Sequence, residues 1–384
     1  MDNNFSEQEK QTMLSVYKQL PLSIVAAEKC ELITSNNRRI LDLYGGHAVI
    51  PFGYSETSYI EAITKQMKKL LFQSNLLPLD IRAKAAKSLL NISPHNLAKV
   101  FFVNSGSEAN ENALKIACKV TKRKKILAVT HGFHGRTAAS AAVSWGSNDN
   151  WYGFPDTPFE VDFIPRNDAC SAKRMINDDV AAVIVEPIQG IAGAYDLSLE
   201  FLKTIRESCN ASSSLMIVDE VQSGMGRSGS YFAIQDHDIE PDILTTAKSL
   251  GGGFPCAALL IDEEFSGSID IGDLGSTFGG GPIACTAINF AINYITEKEL
   301  LKNVKERELE IRRECLLGPV RKIQGKGFLL GLVCDQPALK VQKKLLKKNI
   351  LTGTSADKKV LRLLPPLVLQ SSHIERLREA LTTV

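Results

Sequence analysis

Four short stretches of the chain carry residues whose type and spacing suit chemistry. Lys248 follows an apolar run and stands just before three glycines (AKSLGGG). A lysine held half-buried can lose enough amine basicity to act as a Schiff-base nucleophile, although most lysines are simply solvated. Asp219 and Glu220 follow the apolar run LMIV. A carboxylate at the end of a buried strand is costly unless it meets a cation or a donor, so its partner is either a heterocyclic N–H⁺ or a structural salt bridge. Asn104-Ser105-Gly106-Ser107-Glu108 lies between a strand-like run and a helix-like one. Small residues let the backbone approach an anion there, and a helix start adds free N–H groups; an ordinary capped turn reads the same way. Residues 132–137 (GFHGRT) place an aromatic face, an imidazole and the fixed cation Arg136 together. The planar guanidinium suits a carboxylate, and a surface loop is the plain alternative.

Taken together, these stretches supply a phosphate cradle, an acid for a pyridinium nitrogen, a flat ring to stack and a Schiff-base lysine. That set is what pyridoxal 5'-phosphate requires.

The elements that must position these residues follow from pattern. Apolar runs at 99–103, 126–130, 160–164, 181–185, 215–218 and 242–246 alternate with amphipathic helix-length stretches, which predicts βαβ units and a mostly parallel sheet covered on both faces. Several runs end in polar residues (Asn104, Glu186, Asp219, Lys248), and ligands gather at the carboxyl ends of such strands. A helical pattern spans 283–315, and 322–384 read strand, helix, strand, helix, the last capped by Ser371 or Ser372. The expected organisation is a large cofactor-binding domain (46–285), a smaller C-terminal α/β domain (286–384) and an N-terminal segment (1–45) that joins the small one.

Composition bounds the rest. The 384 residues hold 45 Lys+Arg against 43 Asp+Glu, a formal charge of +2, which gives no long-range pull towards nucleic acid or anionic membrane. The apolar runs are far shorter than a bilayer span, and MDNNFSEQEKQTM has no secretory-signal pattern. Eight scattered cysteines without a CxxC pair fit a reduced cytoplasm. Gly224 to Gly229 match GxGxxG, but 219–223 separate them from the strand end and Pro241 cuts short the helix a dinucleotide site needs. Gly318 to Lys326 imitate a P-loop with the wrong glycine spacing, and His131 and His134 lack a third metal ligand.

The stretches VNSGSEANENALK, GFHGRT, EPIQG, VDEVQSGMGRSG, ILTTAKSLGGGFP and GSTFGG occur in that order, and SNL at 74–76 and GKGFLLGL at 325–332 accompany them. In this the chain resembles, over nearly its whole length, the class III aminotransferases of fold-type I, most of all the acetylornithine/succinylornithine branch. The resemblance implies an α/β fold with a large mostly parallel-sheet domain and a smaller α/β domain. It implies that Lys248 carries the cofactor and moves the proton, that Asp219 pairs with the pyridinium nitrogen, and that Gln222 contacts the ring hydroxyl. Phe133 and Val221 would pack on the two ring faces. Gly106 and Ser107 would hold the phosphate, with Thr277 reaching it from a neighbouring subunit of a homodimer. Arg136 would take the substrate carboxylate farther from the reacting amine, Ser276 and Tyr17 would line the pocket, and Arg362 would receive the α-carboxylate of glutamate or 2-oxoglutarate.

Three positions depart from the family pattern: Gly281 replaces an asparagine, Gly53-Tyr54-Ser55-Glu56-Thr57 replaces Gly-His-x-His-Pro, and Ile191 replaces the acid that commonly follows EPxQG. The expected reaction moves the terminal amine of N-acetyl- or N-succinylornithine to 2-oxoglutarate in arginine biosynthesis. Other ω-amine donors (ornithine, 4-aminobutyrate, an aminoadipate-type lysine precursor), a nicotinamide dehydrogenase and a non-catalytic binding protein are the alternatives.

Overall fold

In the computed structural model, which describes residues 5–384, the βαβ rhythm becomes one seven-stranded sheet. Its order is Leu97–Val103, Ala257–Asp262, Ile243–Thr246, Leu215–Asp219, Val180–Val185, Lys125–Val129, Glu160–Ile164. All six expected runs are strands. The seventh, Ala257–Asp262, was not expected, and it is antiparallel to both neighbours while every other pairing is parallel. Its direction follows from chain length. Only residues 247–256 connect it to the preceding strand, too few for a crossover helix, so the chain must turn back at once. Lys248 sits in that return.

Both sheet faces are covered. Met216 and Val218 enter one apolar cluster while Leu215 and Ile217, alternate in the same strand, enter the other. All six residues of Val180–Val185 are buried. This is why the strands read as unbroken apolar runs.

The helical pattern after residue 281 is two helices, Pro282–Glu297 and Leu300–Glu314, broken where Glu299 takes a left-handed φ of +49°. A second, antiparallel sheet has the order Val320–Lys326, Leu329–Cys334, Val360–Leu363, Gly353–Thr354. Ala338–Lys347 and Ser371–Thr382 are helices. The last is entered through Gln370 at the N-cap, because both serines already lie inside the first turn. The N-terminal strands Ile24–Glu28, Glu31–Thr34 and Arg39–Asp42 form a third sheet that Ile350–Leu351 extends in parallel with Arg39–Asp42. Arg376 pairs with Glu31 at 2.7 Å across that junction. The GxGxxG stretch is a series of turns, and the P-loop imitation runs into a β-strand. Among the described residues no helix is long and apolar enough to cross a membrane, and no cluster of His, Cys, Asp and Glu could hold a metal.

Candidate active site

Six of the seven strands point the same way, so their carboxyl ends share one edge. Asp219 closes its strand there, buried. Its Oδ2 accepts from Asn110 Nδ2 at 2.7 Å and faces His134 Nδ1 at 2.8 Å, while Oδ1 accepts from the Val221 amide at 2.9 Å. Asn110 is fixed in turn, because Thr245 Oγ1 donates to its Oδ1 at 2.6 Å. Thr245 is the register partner of Asp219 on the next strand.

Lys248 opens the turn Lys248–Gly251 with a left-handed φ of +48°, a conformation a side chain adopts only where its surroundings impose it. Ser249 Oγ donates to Ala48 O at 2.8 Å and Tyr59 Oη to Gly251 O at 2.7 Å, which pins the turn. Burial pulls the Lys248 amine pKa down, and the nearby Asp219 and Glu186 charges act against that pull. Glu186, buried, accepts from the amides of Phe133 (2.9 Å) and Gly190 (3.3 Å). Burial pushes its carboxyl up to about 7, with His134 working the other way.

The cradle is the start of helix Gly106–Thr121. Ser105 caps it, accepting from Glu108 N at 3.2 Å. Among the described residues no hydrogen bond within the chain uses the Gly106 or Ser107 amide. A Cβ on Gly106 would come within 2.7 Å of Val221 Cγ1, so the helix start and Val221 touch only because residue 106 is glycine. Ser107 Oγ accepts from the Arg136 amide at 3.1 Å, tying the cradle to the 132–137 loop. Glu111 holds the other end of that loop through Thr137 Oγ1 at 2.6 Å and the Ala139 amide.

Arg136 is exposed, and its guanidinium stands 5.4 Å from the Phe133 ring centre and 5.5 Å from that of Trp151. No carboxylate pairs with it among the described residues. Arg362 is the reverse case, with 4% of its surface exposed in the centre of the small sheet. Its Nε donates to Thr354 O at 2.8 Å, Nη1 lies 3.3 Å from Gly190 O and 3.4 Å from Gln222 Oε1, and Nη2 donates to Tyr44 Oη at 2.7 Å.

Lys248, Asp219, Gly106, Ser107, Phe133, Val221, Gln222, Arg136 and Arg362 are thus linked by contacts or short-range electrostatics. Ser276 meets that group only through Asn104, and Thr277 makes no side-chain hydrogen bond to it among the described residues. Ser276 Oγ accepts from Asn104 Nδ2 at 3.3 Å, Asn75 Nδ2 grips the loop at Gly279 O (2.9 Å), and Thr277 is exposed. Tyr17 is 75% exposed in the N-terminal segment, beside Glu9, Lys10 and Met13. Sequence reasoning missed Asn110, Trp151, Tyr44 and His47 and left Glu186 without a role. Glu186 was findable as the acid after a buried strand, whereas Tyr44 lies too far along the chain from Arg362 for any local pattern to join them.

The residues present fit a planar, anionic, electrophilic cofactor: free amides at a helix start for its phosphate, a held carboxylate with a lone pair to spare for a ring N–H⁺, and an amine of lowered basicity. Comparison with known proteins agrees. The aminotransferase class-III family model matches residues 13–384. The acetylornithine aminotransferase of Methanocaldococcus jannaschii is 35% identical over 99% of this chain and 98% of its own. The [LysW]-aminoadipate semialdehyde/glutamate semialdehyde transaminase of Sulfurisphaera tokodaii is also 35% identical, over 96% and 95%. Among solved structures, the ornithine aminotransferase of Toxoplasma gondii, described with pyridoxal phosphate at partial occupancy, superposes with a TM-score of 0.92 at 25% identity, covering 100% and 95% of the two chains. The chain belongs to the class III aminotransferases, enzymes of fold-type I that depend on pyridoxal 5'-phosphate.

Proposed function

We propose that this aminotransferase moves the terminal amine of an N-acylornithine, N-acetyl or N-succinyl, to 2-oxoglutarate, giving N-acylglutamate semialdehyde and glutamate in arginine biosynthesis. The observation that carries the reading is a pair of guanidinium groups that no carboxylate pairs with among the described residues, Arg136 on the loop tied to the Gly106–Ser107 cradle and Arg362 beside Gln222. Two cationic subsites suit the two carboxylates of a five-carbon dicarboxylate, while an ω-amine donor needs only the outer one. The acetylornithine aminotransferases among the relatives support the donor class.

Pyridoxal phosphate, when bound, supplies the aldehyde carbon that takes the amine and an electron-withdrawing ring. The Gly106 and Ser107 amides would hold its phosphate, joined by Thr277 of the partner subunit. Asp219 would keep the ring nitrogen protonated, Gln222 would meet the ring hydroxyl, and Phe133 and Val221 would shield the faces. Lys248 Nζ would hold the cofactor between turnovers and move the proton at the substrate carbon that bears the amine. Arg136 takes the distal carboxylate, Arg362 the α-carboxylate, and Ser276 and Tyr17 line the pocket. A cytoplasmic homodimer with shared sites completes the reading. The exposed Phe278, next to Thr277, lies 5.5 Å from the exposed Phe72 ring on an apolar edge that a second subunit would cover.

A second reading, an aminoadipate-type donor, is favoured by the Sulfurisphaera tokodaii relative. An amine-donor panel with 2-oxoglutarate as acceptor, followed through cofactor absorbance, separates the two. N-acylornithines are expected to lead the panel. Preference for ornithine, 4-aminobutyrate or an aminoadipate-derived amine would overturn the first reading.

A further inference from the structure

Arg362 is a buried cation whose hydrogen-bond partners are all neutral, with the Glu186 carboxylate acting on it without pairing. Its partners are two backbone carbonyls, the Gln222 amide and the Tyr44 hydroxyl, and no ion pair includes it among the described residues. A guanidinium stripped of water with no anion in contact is unfavourable, so whatever occupies its exchangeable face matters. Ile191, beside Gly190, brings no charge, and its carbonyl is already used by the Ala356 amide at 2.9 Å.

The exchangeable face is Nη2, and Tyr44 occupies it. The Tyr44 ring packs where a Cβ on Gly353 would come within 1.9 Å, so glycine at 353 makes room for it beside Arg362. Tyr44 Oη also lies 2.9 Å from His47 Nδ1. A guanidinium can only donate, so the hydroxyl accepts from Arg362 and gives its own proton to His47. Burial lowers the His47 pKa, and Arg362, Lys248 and Arg136 add to that direction, which keeps Nδ1 available as the acceptor.

The backbone is shaped to place this ring. Residues Gly45, Gly46, His47 and Ala48 run at φ of +53°, +58°, +66° and +66°, a left-handed turn that His and Ala rarely enter. Asp42 Oδ1 anchors it through the amides of Tyr44 (2.7 Å) and Gly45 (3.0 Å), and Ser249, next to Lys248, holds its far end.

We propose that Tyr44 and His47 form a neutral cap on the Arg362 carboxylate site and set the enzyme's preference between its two substrates. While an ω-amine donor is bound, the Tyr44 hydroxyl satisfies Nη2. A dicarboxylate displaces that hydroxyl and takes the guanidinium fork. A hydroxyl yields this face more readily than a carboxylate would, so the cap favours the dicarboxylate half of the cycle. The inference rests on the reading of Arg362 as the α-carboxylate site.

The test is calorimetric titration of the holoenzyme with glutarate, an unreactive five-carbon dicarboxylate, and with pentanoate, which has the same length and one carboxylate. Tyr44→Phe keeps the ring on Gly353 and removes the competing oxygen. Glutarate is expected to bind about tenfold tighter and pentanoate within about twofold of wild type. His47→Gly, which suits the left-handed turn and removes the acceptor, should shift glutarate in the same direction by less, and it decides the matter if Tyr44→Phe does not fold. Unchanged or weaker glutarate binding in the deciding variant, with Arg362→Gln still losing it, overturns the cap. Wild-type glutarate binding by Arg362→Gln, or by Arg362→Met should the glutamine variant not fold, overturns the assignment of Arg362 itself.

Discussion

His134 Nδ1 lies 2.8 Å from Asp219 Oδ2, with the imidazole inaccessible to solvent and the carboxylate 3% exposed. Asn110 shares the same oxygen, so one edge of the carboxylate is saturated from within the protein and only Oδ1 retains capacity for a further donor. Asp219→Asn removes the charge while leaving Asn110 and His134 aimed at an amide. Cofactor should be retained, and both half-reactions should slow by roughly 10- to 100-fold, the scale of one lost charged hydrogen bond. Stopped-flow absorbance measures this directly. Wild-type rates in the variant would mean that the carboxylate is structural.

Lys248→Ala should still bind pyridoxal phosphate through the helix-start amides and lose turnover by at least roughly 10²–10⁴-fold, because the amine that moves the proton is gone. Cofactor retention after gel filtration and steady-state rates check the two halves separately. Near-wild-type turnover would remove Lys248 from its role.

The parts of this molecule legible in the sequence are those fixed by local pattern. Asp219, Glu186 and Lys248 announce themselves because a polar residue after an unbroken apolar run can only lie at a strand end. The Ala257–Asp262 strand was missed because its apolar run resembles its neighbours and only the short connection reveals its direction. The break at Glu299 has no Gly or Pro to mark it. The cap of the last helix shifted by one residue for want of a signal that ranks Gln370 against two serines. The surroundings of Arg362 were invisible for a different reason. Tyr44 and Gly353 meet it through tertiary packing of a turn and a sheet far apart in the chain.

Trp151 gives Arg136 its second aromatic face, and an exposed cation–π contact contributes about 0.5–1 kcal/mol. Trp151→Ala should therefore raise KM for carboxylate substrates about two- to fivefold with kcat unchanged. A fall in kcat of similar size would place Trp151 nearer the reacting atoms than its contact with Arg136 implies.

Glu220 is wholly buried, accepting from Ser223 Oγ at 2.5 Å and the Ile234 amide at 2.8 Å, and burial pushes its carboxyl up to about 7. An acid whose folded pKa is raised contributes stability below its ordinary 4.5, and that contribution is lost as pH climbs to about 7. Glu220→Gln has no such dependence. Its stability relative to wild type should rise between pH 5 and 8, by at most roughly 3 kcal/mol. Denaturant melts at the two pH values test this, and a difference that does not change with pH would show that Glu220 stays ionised in the fold.

Ile191→Glu places a carboxylate beside Gly190, whose carbonyl already lies 3.3 Å from Arg362 Nη1. The guanidinium would then carry a charged partner in a desolvated setting, where a pair is worth more than the 0–1 kcal/mol of an exposed one. An incoming dicarboxylate must displace that anion instead of the Tyr44 hydroxyl. Binding of glutamate and 2-oxoglutarate should weaken about tenfold, while the half-reaction with an N-acylornithine, which leaves Arg362 unused, should change by less than about twofold. Half-reaction titrations of the two substrates give both numbers. Equal losses for donor and acceptor would mean that the new side chain disturbs Lys248 or Arg136 instead. An unchanged affinity for glutamate would mean that residue 191 does not face Arg362, which would leave the neutral groups as the full set of its hydrogen-bond partners in the variant as in the wild type.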